Sequence, residues 1–183
     1  MAPGNEVPDE ELVARVAAGD RTAYALLVER HADRQLGFAC RVLSNREAAE
    51  DVVQDAFLKL WTHAGRFNPA AAKFTTWFYR VVMNRCLDVK RRKRPVALPE
   101  DYDAIDDAPV SDEALAAKQR AEAVRKGLDG LPERQRVAVS LFYFEGLRAR
   151  EAAEVMEVGI KAFESLLVRA RKQLAKDLQG FDG

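Results

Sequence analysis

Apolar residues recur along this chain at intervals of three and four, the period of one helix face, and the strict alternation typical of strands is nearly absent. In the first half of the chain this spacing predicts four helices. The first is short and ends at Gly19, the second runs from about Thr22 to Leu43, the third spans about 44–63, and the fourth begins near Thr75. Ser44 and Glu47 predict a capping box at the start of the third helix. The fold class expected is all-α.

The second half of the chain predicts a helix at about 112–128, followed by another that begins after Leu131-Pro132 and ends at Glu145-Gly146. Two further helices, at about 149–156 and 160–178, are separated only by Glu157-Val158-Gly159. A short helix, a tight turn and a longer basic helix form the outline of a helix-turn-helix motif.

Residues 95–112 separate these two halves and contain three prolines, clustered acids and no helical period, which predicts a flexible linker. The expected organisation is two small helical domains, 1–94 and 113–183, joined by this linker. Charge supports the division: residues 1–99 carry net +4, residues 100–117 net −7 and residues 118–183 net +3, so the overall charge is zero. Two basic modules favour a polyanionic partner that contacts both.

Several function classes find little support in the sequence. No membrane span or signal peptide is visible, so a cytoplasmic location is expected. Cys40 and Cys86 form no CxxC motif, so neither a disulfide framework nor a thiolate metal site is indicated. His31 and His63 have no ligand partners at metal-binding spacing, and no nucleotide-binding or hydrolase motif occurs. An enzyme, a cofactor and a metal site are therefore not expected.

One side of the third helix carries a leucine among polar residues. On a helical wheel Val52, Val53, Ala56, Phe57 and Leu60 share the core side. The opposite side, here called the acidic face, consists of Asp51, Gln54, Asp55 and Leu58. An ordinary solvated helix face is one interpretation, and a protein-docking face is the other.

Residues 73–94 combine eight Lys/Arg with one acid and four aromatic residues. Cations neutralise phosphates and aromatic rings stack on unpaired bases, so this composition is typical of a surface for opened nucleic acid. Phe78, Val81, Val82 and Val89 are expected in the core. The remaining positions at helical spacing, here called the cationic stripe, are Trp77, Arg80, Asn84, Arg85, Asp88 and Arg91, with a solvated basic helix as the alternative.

The last helix has the composition of a DNA-reading helix. Its N-terminal residues Lys161, Ala162, Glu164 and Ser165 are candidates for base contacts, and Arg169 and Arg171 suit phosphates. Val155, Val158, Ile160, Phe163 and Leu167 are expected to hold the motif together. A plain helical hairpin is the alternative.

Several stretches together resemble, in their order, the bacterial RNA polymerase sigma factors of the extracytoplasmic-function (ECF) group. They are Ala49–Trp61, Phe74–Asn84 with Asp88 and Arg91-Arg92, Leu131–Arg136, Glu151–Met156 and Arg169–Arg171. The resemblance covers about residues 10–94 and 115–178. It implies sigma region 2, a linker and sigma region 4, in a factor that initiates transcription of a stress or signal regulon.

The resemblance also implies partners and sites. The acidic face would dock on the clamp helices of the polymerase beta-prime subunit, and region 4 would touch the flap of the beta subunit. The helix from Ile160 would read the −35 promoter element, and an anti-sigma factor would hold the protein inactive. The −10 element would be bound and melted by Lys73, Phe74, Trp77, Tyr79, Arg80, Asn84, Arg85, Asp88 and Arg91.

Five positions depart from the family pattern around the helix-turn-helix. Leu166 and Glu164 stand where several relatives have basic residues. Arg148 replaces a frequent capping serine, Glu157 stands where a glycine is common, and Gly159 replaces a serine that often caps the last helix. A glutamate that needs a positive φ is strained, so promoter preference does not transfer by analogy. A stand-alone DNA-binding regulator and a protein-interaction adaptor remain the alternative functions, and the acidic face discriminates against the regulator.

Overall fold

The computed structural model of the chain describes residues 7–92 and 112–178, and in the second range it describes side chains from residue 121 onward. The predicted linker, residues 95–112, lies outside the described residues except for Asp112, which begins a helix. Over the described ranges the chain is helical and contains no strand. The all-α prediction is confirmed.

The first module consists of four α-helices and one short 3₁₀ turn. They are α1 (Asp9–Ala17), α2 (Arg21–Leu43), α3 (Arg46–His63), the turn Ala64–Arg66 and α4 (Phe74–Arg92). These bounds agree with the predicted helices to within a few residues.

The second module also has four α-helices. They are α5 (Asp112–Asp129), α6 (Glu133–Val139), which continues as a π-helical segment over Ser140–Phe144, α7 (Ala149–Val155) and α8 (Ile160–Leu178). Gly146 follows the π-helical segment with φ +67°, a conformation that glycine adopts without strain. The predicted end of this helix at Glu145-Gly146 is therefore confirmed.

The junction between α2 and α3 differs from the prediction by one residue. Ser44 lies in the left-handed region, with φ 54°, and ends α2 instead of capping α3. The cap is Asn45, whose side-chain oxygen accepts a hydrogen bond from the backbone N–H of Ala48 at 2.7 Å. The capping box predicted from Ser44 and Glu47 is wrong, because the chain needs Ser44 for the turn and asparagine caps equally well.

Aromatic and aliphatic side chains from all four helices fill the first module. Leu27, Phe38 and Phe78 have no exposed surface, and Phe57 lies 4.9 Å from Phe78 between ring centroids. Burying one such side chain completely contributes roughly 1.5–3 kcal/mol. Burial also raises the pKa of Cys86 to about 12, so this thiol behaves as a small apolar core group.

Polar contacts fix α1 onto this core. Asp9 pairs with His31 at 2.7 Å and with Arg30 at 2.9 Å, both on α2. Glu10 accepts a hydrogen bond at 2.9 Å from the backbone N–H of Phe74, the first residue of α4. These contacts hold the N-terminal end of α4, where the cationic stripe begins, in a defined position.

The two modules pack against each other, α6 and the π-helical segment on α2, and α7 on α4. Arg136 of α6 lies at this junction and is 5% exposed. Its guanidinium donates to the Val42 carbonyl at 3.2 Å and to the Ser44 hydroxyl at 3.1 Å, both on the first module. It also donates to the Asp129 carbonyl at 2.5 Å. Arg136 thus joins α2 to the α5–α6 turn.

Replacing Arg136 with methionine is expected to lower the free energy of unfolding by about 2 kcal/mol, because the buried Val42 carbonyl and the partly buried Asp129 carbonyl lose their donor. Urea denaturation followed by circular dichroism measures the change. Arg134→Met, at an exposed position of the same helix, is the matched control and should change stability little. Equal stability of the two variants would show that the Arg136 contacts contribute nothing.

Candidate nucleic-acid and protein-docking surfaces

The acidic face of α3 is exposed as the helical wheel predicts. Asp51, Gln54 and Asp55 are open to solvent, and Leu58 is 58% exposed. The opposite side of the helix is buried, with Val52, Val53, Ala56, Phe57 and Leu60 all in the core. A leucine this exposed, flanked by carboxylates, forms a contiguous surface suited to a protein partner that offers cations around an apolar centre.

An ion pair connects the acidic face to α4. Arg85 donates to a single carboxylate oxygen of Asp55, from Nη2 at 2.6 Å and from Nε at 3.0 Å. Both side chains are partly exposed, so the pair contributes little to stability. Its structural consequence is that the acidic face and the cationic stripe form adjoining parts of one surface.

The cationic stripe follows one side of α4. Asn84, Asp88 and Arg91 are exposed, and Trp77, Arg80 and Arg85 are half-buried. Lys73, just before the helix, has a side chain 70% exposed. Trp77 packs against Phe67 at 5.7 Å between ring centroids, which orients the indole at the surface. The side chains expected in the core lie inward, with Phe78 and Val82 buried and Val81 and Val89 half-buried.

Two residues predicted to contact DNA are not on this surface. Phe74 has no exposed area and stacks on Phe78 at 5.3 Å in the core of the first module. Tyr79 is 3% exposed and donates a hydrogen bond to the carboxylate of Glu145 at 2.5 Å. Burial is the main cause that raises the pKa of Tyr79 well above its usual value, and the hydrogen bond to Glu145 raises it further. In this conformation both side chains therefore lie outside the exposed part of the predicted DNA surface, Phe74 because it is core and Tyr79 because the second module covers it.

The first helix of the helix-turn-helix lies on the beginning of the stripe. Lys73 pairs with Glu151 at 2.9 Å, and this ammonium, with the backbone N–H of Arg148, lowers the pKa of Glu151. Arg80 donates to the backbone carbonyl of Glu154 at 2.7 Å and approaches the carboxylate of Glu157 at 3.5 Å. Two cations of the predicted DNA surface are thus engaged by the second module.

The outer side of α8 is free of such contacts among the described residues and presents the predicted readers to solvent. Lys161, Ala162, Glu164, Ser165, Arg169 and Arg171 are all exposed. Phe163 and Leu167 are buried beneath them, with Val155 of α7. Ile160 differs from the prediction: it is the first residue of α8 and is 44% exposed.

The turn between α7 and α8 adopts the backbone that the sequence predicts. Glu157 has φ 55°, the left-handed conformation that glycine usually supplies. At the start of α7 the Glu151 carboxylate accepts from the backbone N–H of Arg148 at 3.1 Å. The guanidinium of Arg148 has no acceptor atom, so only this half of a capping box forms.

Replacing Gly159 with serine is expected to raise the free energy of unfolding by a few tenths of a kcal/mol, because a serine oxygen at this position would accept one of the unpaired N–H groups of α8. A Cβ added at Gly159 meets no atom within 4 Å, so the substitution fits. The midpoint of thermal unfolding checks this, with Gly65→Ser, another position with open space, as control. A lower midpoint for Gly159→Ser would contradict the expectation.

Glu145 is a residue that the sequence analysis interpreted only as a helix end. The structure buries its side chain between the modules, where Arg34, Arg41 and Tyr79 of the first module surround it. Nothing in the sequence around Glu145 indicates that an acid directly before a helix-ending glycine is buried between two modules. Within residues 7–92 and 112–178, no cluster of His, Cys, Asp and Glu suits a metal ion, and no helix is long and apolar enough to cross a membrane.

Comparison with known proteins matches both modules. The family model for sigma-70 region 2 matches residues 27–96, and that for sigma-70 region 4 matches residues 121–174. The chain is 33% identical over 182 residues to the RNA polymerase sigma-H factor of Pseudomonas aeruginosa, covering 93% of this chain and 94% of that one. It is 38% identical over 175 residues to the ECF RNA polymerase sigma factor SigM of Mycobacterium tuberculosis, covering 94% and 85%.

Solved structures show the same architecture. CnrH, in complex with the cytosolic domain of CnrY, superposes with a TM-score of 0.73 at 27% identity, over 96% of this chain and 99% of CnrH. The sigma factor RpoE of Bartonella quintana, in complex with the anti-sigma factor NepR, shares the fold with a TM-score of 0.70 at 21% identity, over 85% and 96%.

Proposed function

The chain belongs to the ECF group of the sigma-70 family, and from this premise we propose that it binds core RNA polymerase, recognises −10 and −35 promoter elements and initiates transcription of a stress or signal regulon. One observation carries the proposal: the exposed acidic face adjoins the cationic stripe through the Arg85–Asp55 pair. A factor that delivers polymerase to opened DNA needs a polymerase contact and a DNA contact side by side. A DNA-binding regulator that acts alone has no use for the first.

The acidic face is proposed to bind the clamp helices of the beta-prime subunit. Asp51 and Asp55 are one helical turn apart on α3. Gln54 lies between them, and the exposed Leu58 lies about one turn after Asp55. Such a face suits a partner protein that presents cations around an apolar contact, and complementary charge makes the interaction specific. The second module is proposed to contact the flap of the beta subunit.

The cationic stripe is proposed to bind and open the −10 element. The cations neutralise phosphates, and the Trp77 indole, held by Phe67, offers a surface for a base. A base that leaves the duplex loses stacking and pairing worth a few kcal/mol, which such contacts offset. Asn84, exposed about two helical turns beyond Trp77, supplies an amide group for hydrogen bonds to that strand.

The exposed N-terminal turns of α8 are proposed to read the −35 element. Lys161, Glu164 and Ser165 lie where helix-turn-helix proteins contact base edges. The Ser165 hydroxyl donates to the Lys161 carbonyl at 2.9 Å, so its contacts with DNA begin from a fixed rotamer. Glu164 favours cytosine among the bases, because a carboxylate accepts from its exocyclic amine.

The domain boundaries proposed are region 2 over residues 1–94, a linker over 95–112 and region 4 over 113–183. Residues 95–112 carry six acids and no Lys or Arg, so the linker is negatively charged, as nucleic acid is. Because RpoE of Bartonella quintana was solved with an anti-sigma factor, an anti-sigma factor is also proposed as the partner that controls this chain. The protein would act in the cytoplasm, with its polymerase.

Transcription from a random promoter library tests the proposal. Core RNA polymerase, the purified chain and nucleotides are incubated with DNA that carries randomised upstream sequence, and the 5′ ends of the transcripts are sequenced. The proposal predicts discrete start sites that share two upstream motifs and depend on the chain. Transcripts identical with and without the chain would contradict it, and DNA binding without polymerase would support the stand-alone regulator instead.

A further inference from the structure

The ion pair between Asp55 of α3 and Arg85 of α4 lies where the acidic face meets the cationic stripe, entirely within the first module. Nη2 and Nε of Arg85 both donate to Oδ2 of Asp55, at 2.6 Å and 3.0 Å. A carboxylate offers about four acceptor sites on its two oxygens, and this pair uses two of them on one oxygen. A second cation can therefore approach Asp55 before Arg85 leaves it.

A surface cleft lies on each side of this pair. The larger cleft, of about 520 Å³, is on the side of the acidic face, where Asp51 and Gln54 also line it. The smaller cleft, of about 300 Å³, is on the side of the stripe, where Asn84 also lines it. Asp55 and Arg85 line both clefts. The pair therefore stands between the surface proposed for polymerase and the surface proposed for DNA.

Both partners of the pair are accessible to solvent. The Arg85 side chain is 37% exposed and the Asp55 side chain is 47% exposed. Ion pairs with this much solvent contact contribute little net free energy, because water solvates the separated charges nearly as well. A competing charge on either side can therefore replace the existing partner at low cost.

Each partner of the pair affects what the other can bind. While Asp55 accepts from Arg85, a phosphate that approaches this guanidinium is repelled by the neighbouring carboxylate. Arg85 in turn repels a cation that approaches Asp55 from a partner protein. A cation bound to Asp55 removes both effects, because it neutralises the carboxylate and leaves the guanidinium of Arg85 able to donate to a phosphate.

We propose that the Asp55–Arg85 pair couples the two proposed binding sites: a polymerase cation that pairs with Asp55 releases Arg85, and Arg85 then binds a phosphate of the opened strand. This coupling rests on the proposed function, which assigns the acidic face to polymerase and the stripe to DNA. It is reciprocal, so a phosphate on Arg85 strengthens the binding of polymerase to Asp55 by the same factor. We expect a factor of about three, because a single exposed ion pair is exchanged.

Asp55→Asn tests the DNA side of the coupling in the full chain, without polymerase. The substitution keeps the shape of the side chain and removes the charge that holds Arg85. Glu47→Gln is the matched control, because Glu47 is an exposed acid of α3 that lines the same larger cleft. Asp55→Asn/Arg85→Gln shows whether an effect depends on the arginine. Circular dichroism establishes that each variant retains its helices.

DNA binding is measured by fluorescence polarisation of a fluorescein-labelled single-stranded DNA of random sequence, at several salt concentrations. Each cation that contacts a phosphate of single-stranded DNA steepens the slope of log affinity against log salt by about 0.7. Asp55→Asn is expected to bind about threefold more tightly than the native chain at the lowest salt and to steepen the slope by about 0.7. Glu47→Gln and Asp55→Asn/Arg85→Gln should keep the native slope.

Arg85→Gln tests the polymerase side of the coupling. Without the arginine, Asp55 accepts a polymerase cation and has no partner to lose. This variant is therefore expected to bind core polymerase about threefold more tightly than the native chain when DNA is absent. Arg92→Gln is the control, because it removes an exposed cation of the same helix outside the pair, and it should bind polymerase as the native chain does.

A native salt slope in Asp55→Asn would overturn the proposal. So would a steeper slope that persists in Asp55→Asn/Arg85→Gln, or native polymerase affinity in Arg85→Gln. Failure of the proposed function is distinguishable from these results. If neither the native chain nor Arg85→Gln binds core polymerase, the sigma-factor role is refuted. If both bind it equally well and the salt slopes are all the same, the coupling alone is refuted.

Discussion

Asp51→Lys/Asp55→Lys is expected to weaken binding to core RNA polymerase at least about 100-fold, because each reversed charge replaces an attraction across the interface with a repulsion. Both carboxylates are exposed on α3 and belong to no buried network. The helices should therefore remain folded. Fluorescence polarisation of the labelled chain against core polymerase measures the affinity, and circular dichroism checks the fold.

The matched control for that variant is Glu29→Lys/Asp33→Lys. These two acids are also exposed, also one helical turn apart and also in the first module, so net charge and spacing change equally. The control should bind polymerase as the native chain does. Native affinity in Asp51→Lys/Asp55→Lys would remove the acidic face from the polymerase interface, and equal loss in both variants would assign the effect to net charge.

Trp77→Ala/Asn84→Ala is expected to leave polymerase binding intact and to slow promoter opening at least about tenfold. A stacked base contributes roughly 1–3 kcal/mol, so loss of the indole alone accounts for a tenfold effect. Permanganate oxidation of unpaired thymines in the −10 element, followed over time, measures opening.

Trp77 is half-buried against Phe67, so its removal also affects packing. Trp61→Ala separates the two effects, because Trp61 is also half-buried, packs on Tyr24 with 5.3 Å between ring centroids and lies outside the stripe. The Trp61 variant should lose stability without losing opening. Opening at the native rate in Trp77→Ala/Asn84→Ala would exclude both residues from the −10 site.

The helices of the first module were predictable from the sequence because each one buries an apolar face. α3 shows this most clearly: its wheel separates Val52, Phe57 and Leu60 from Asp51 and Leu58, and the structure buries and exposes the same residues. Helix ends depend on local chemistry with near-equivalent alternatives. Ser44 and Asn45 both cap well, and the turn decides between them.

The candidate site was predictable where it depends on one helix and not where it depends on two modules. Tyr79 follows the pattern of the stripe, yet Glu145 covers it from 66 residues further along the chain. Arg34 and Arg41 meet the same carboxylate across 111 and 104 residues. Helical periodicity relates residues within about one turn of each other. It therefore gives no information on contacts between residues so far apart in the sequence.

Glu157 shows how a departure from the family pattern acquires a structural role. The sequence predicts a positive φ there, and the structure has φ 55°. The strain is small for one residue, of order 1 kcal/mol. The Glu157 carboxylate lies 3.5 Å from Nη1 of Arg80, a contact that the usual glycine cannot make. The unusual turn of this chain is thus linked to the packing of α7 on α4.

Titration of the purified native chain against core RNA polymerase tests the central claim most directly. Fluorescence polarisation and native gel shift report the complex, and the chain must be free of any inhibitor. Saturable, tight one-to-one binding is the predicted result and establishes the sigma-factor role. A folded chain that does not bind core polymerase would contradict it, and the acidic face would then be an ordinary solvated side of α3.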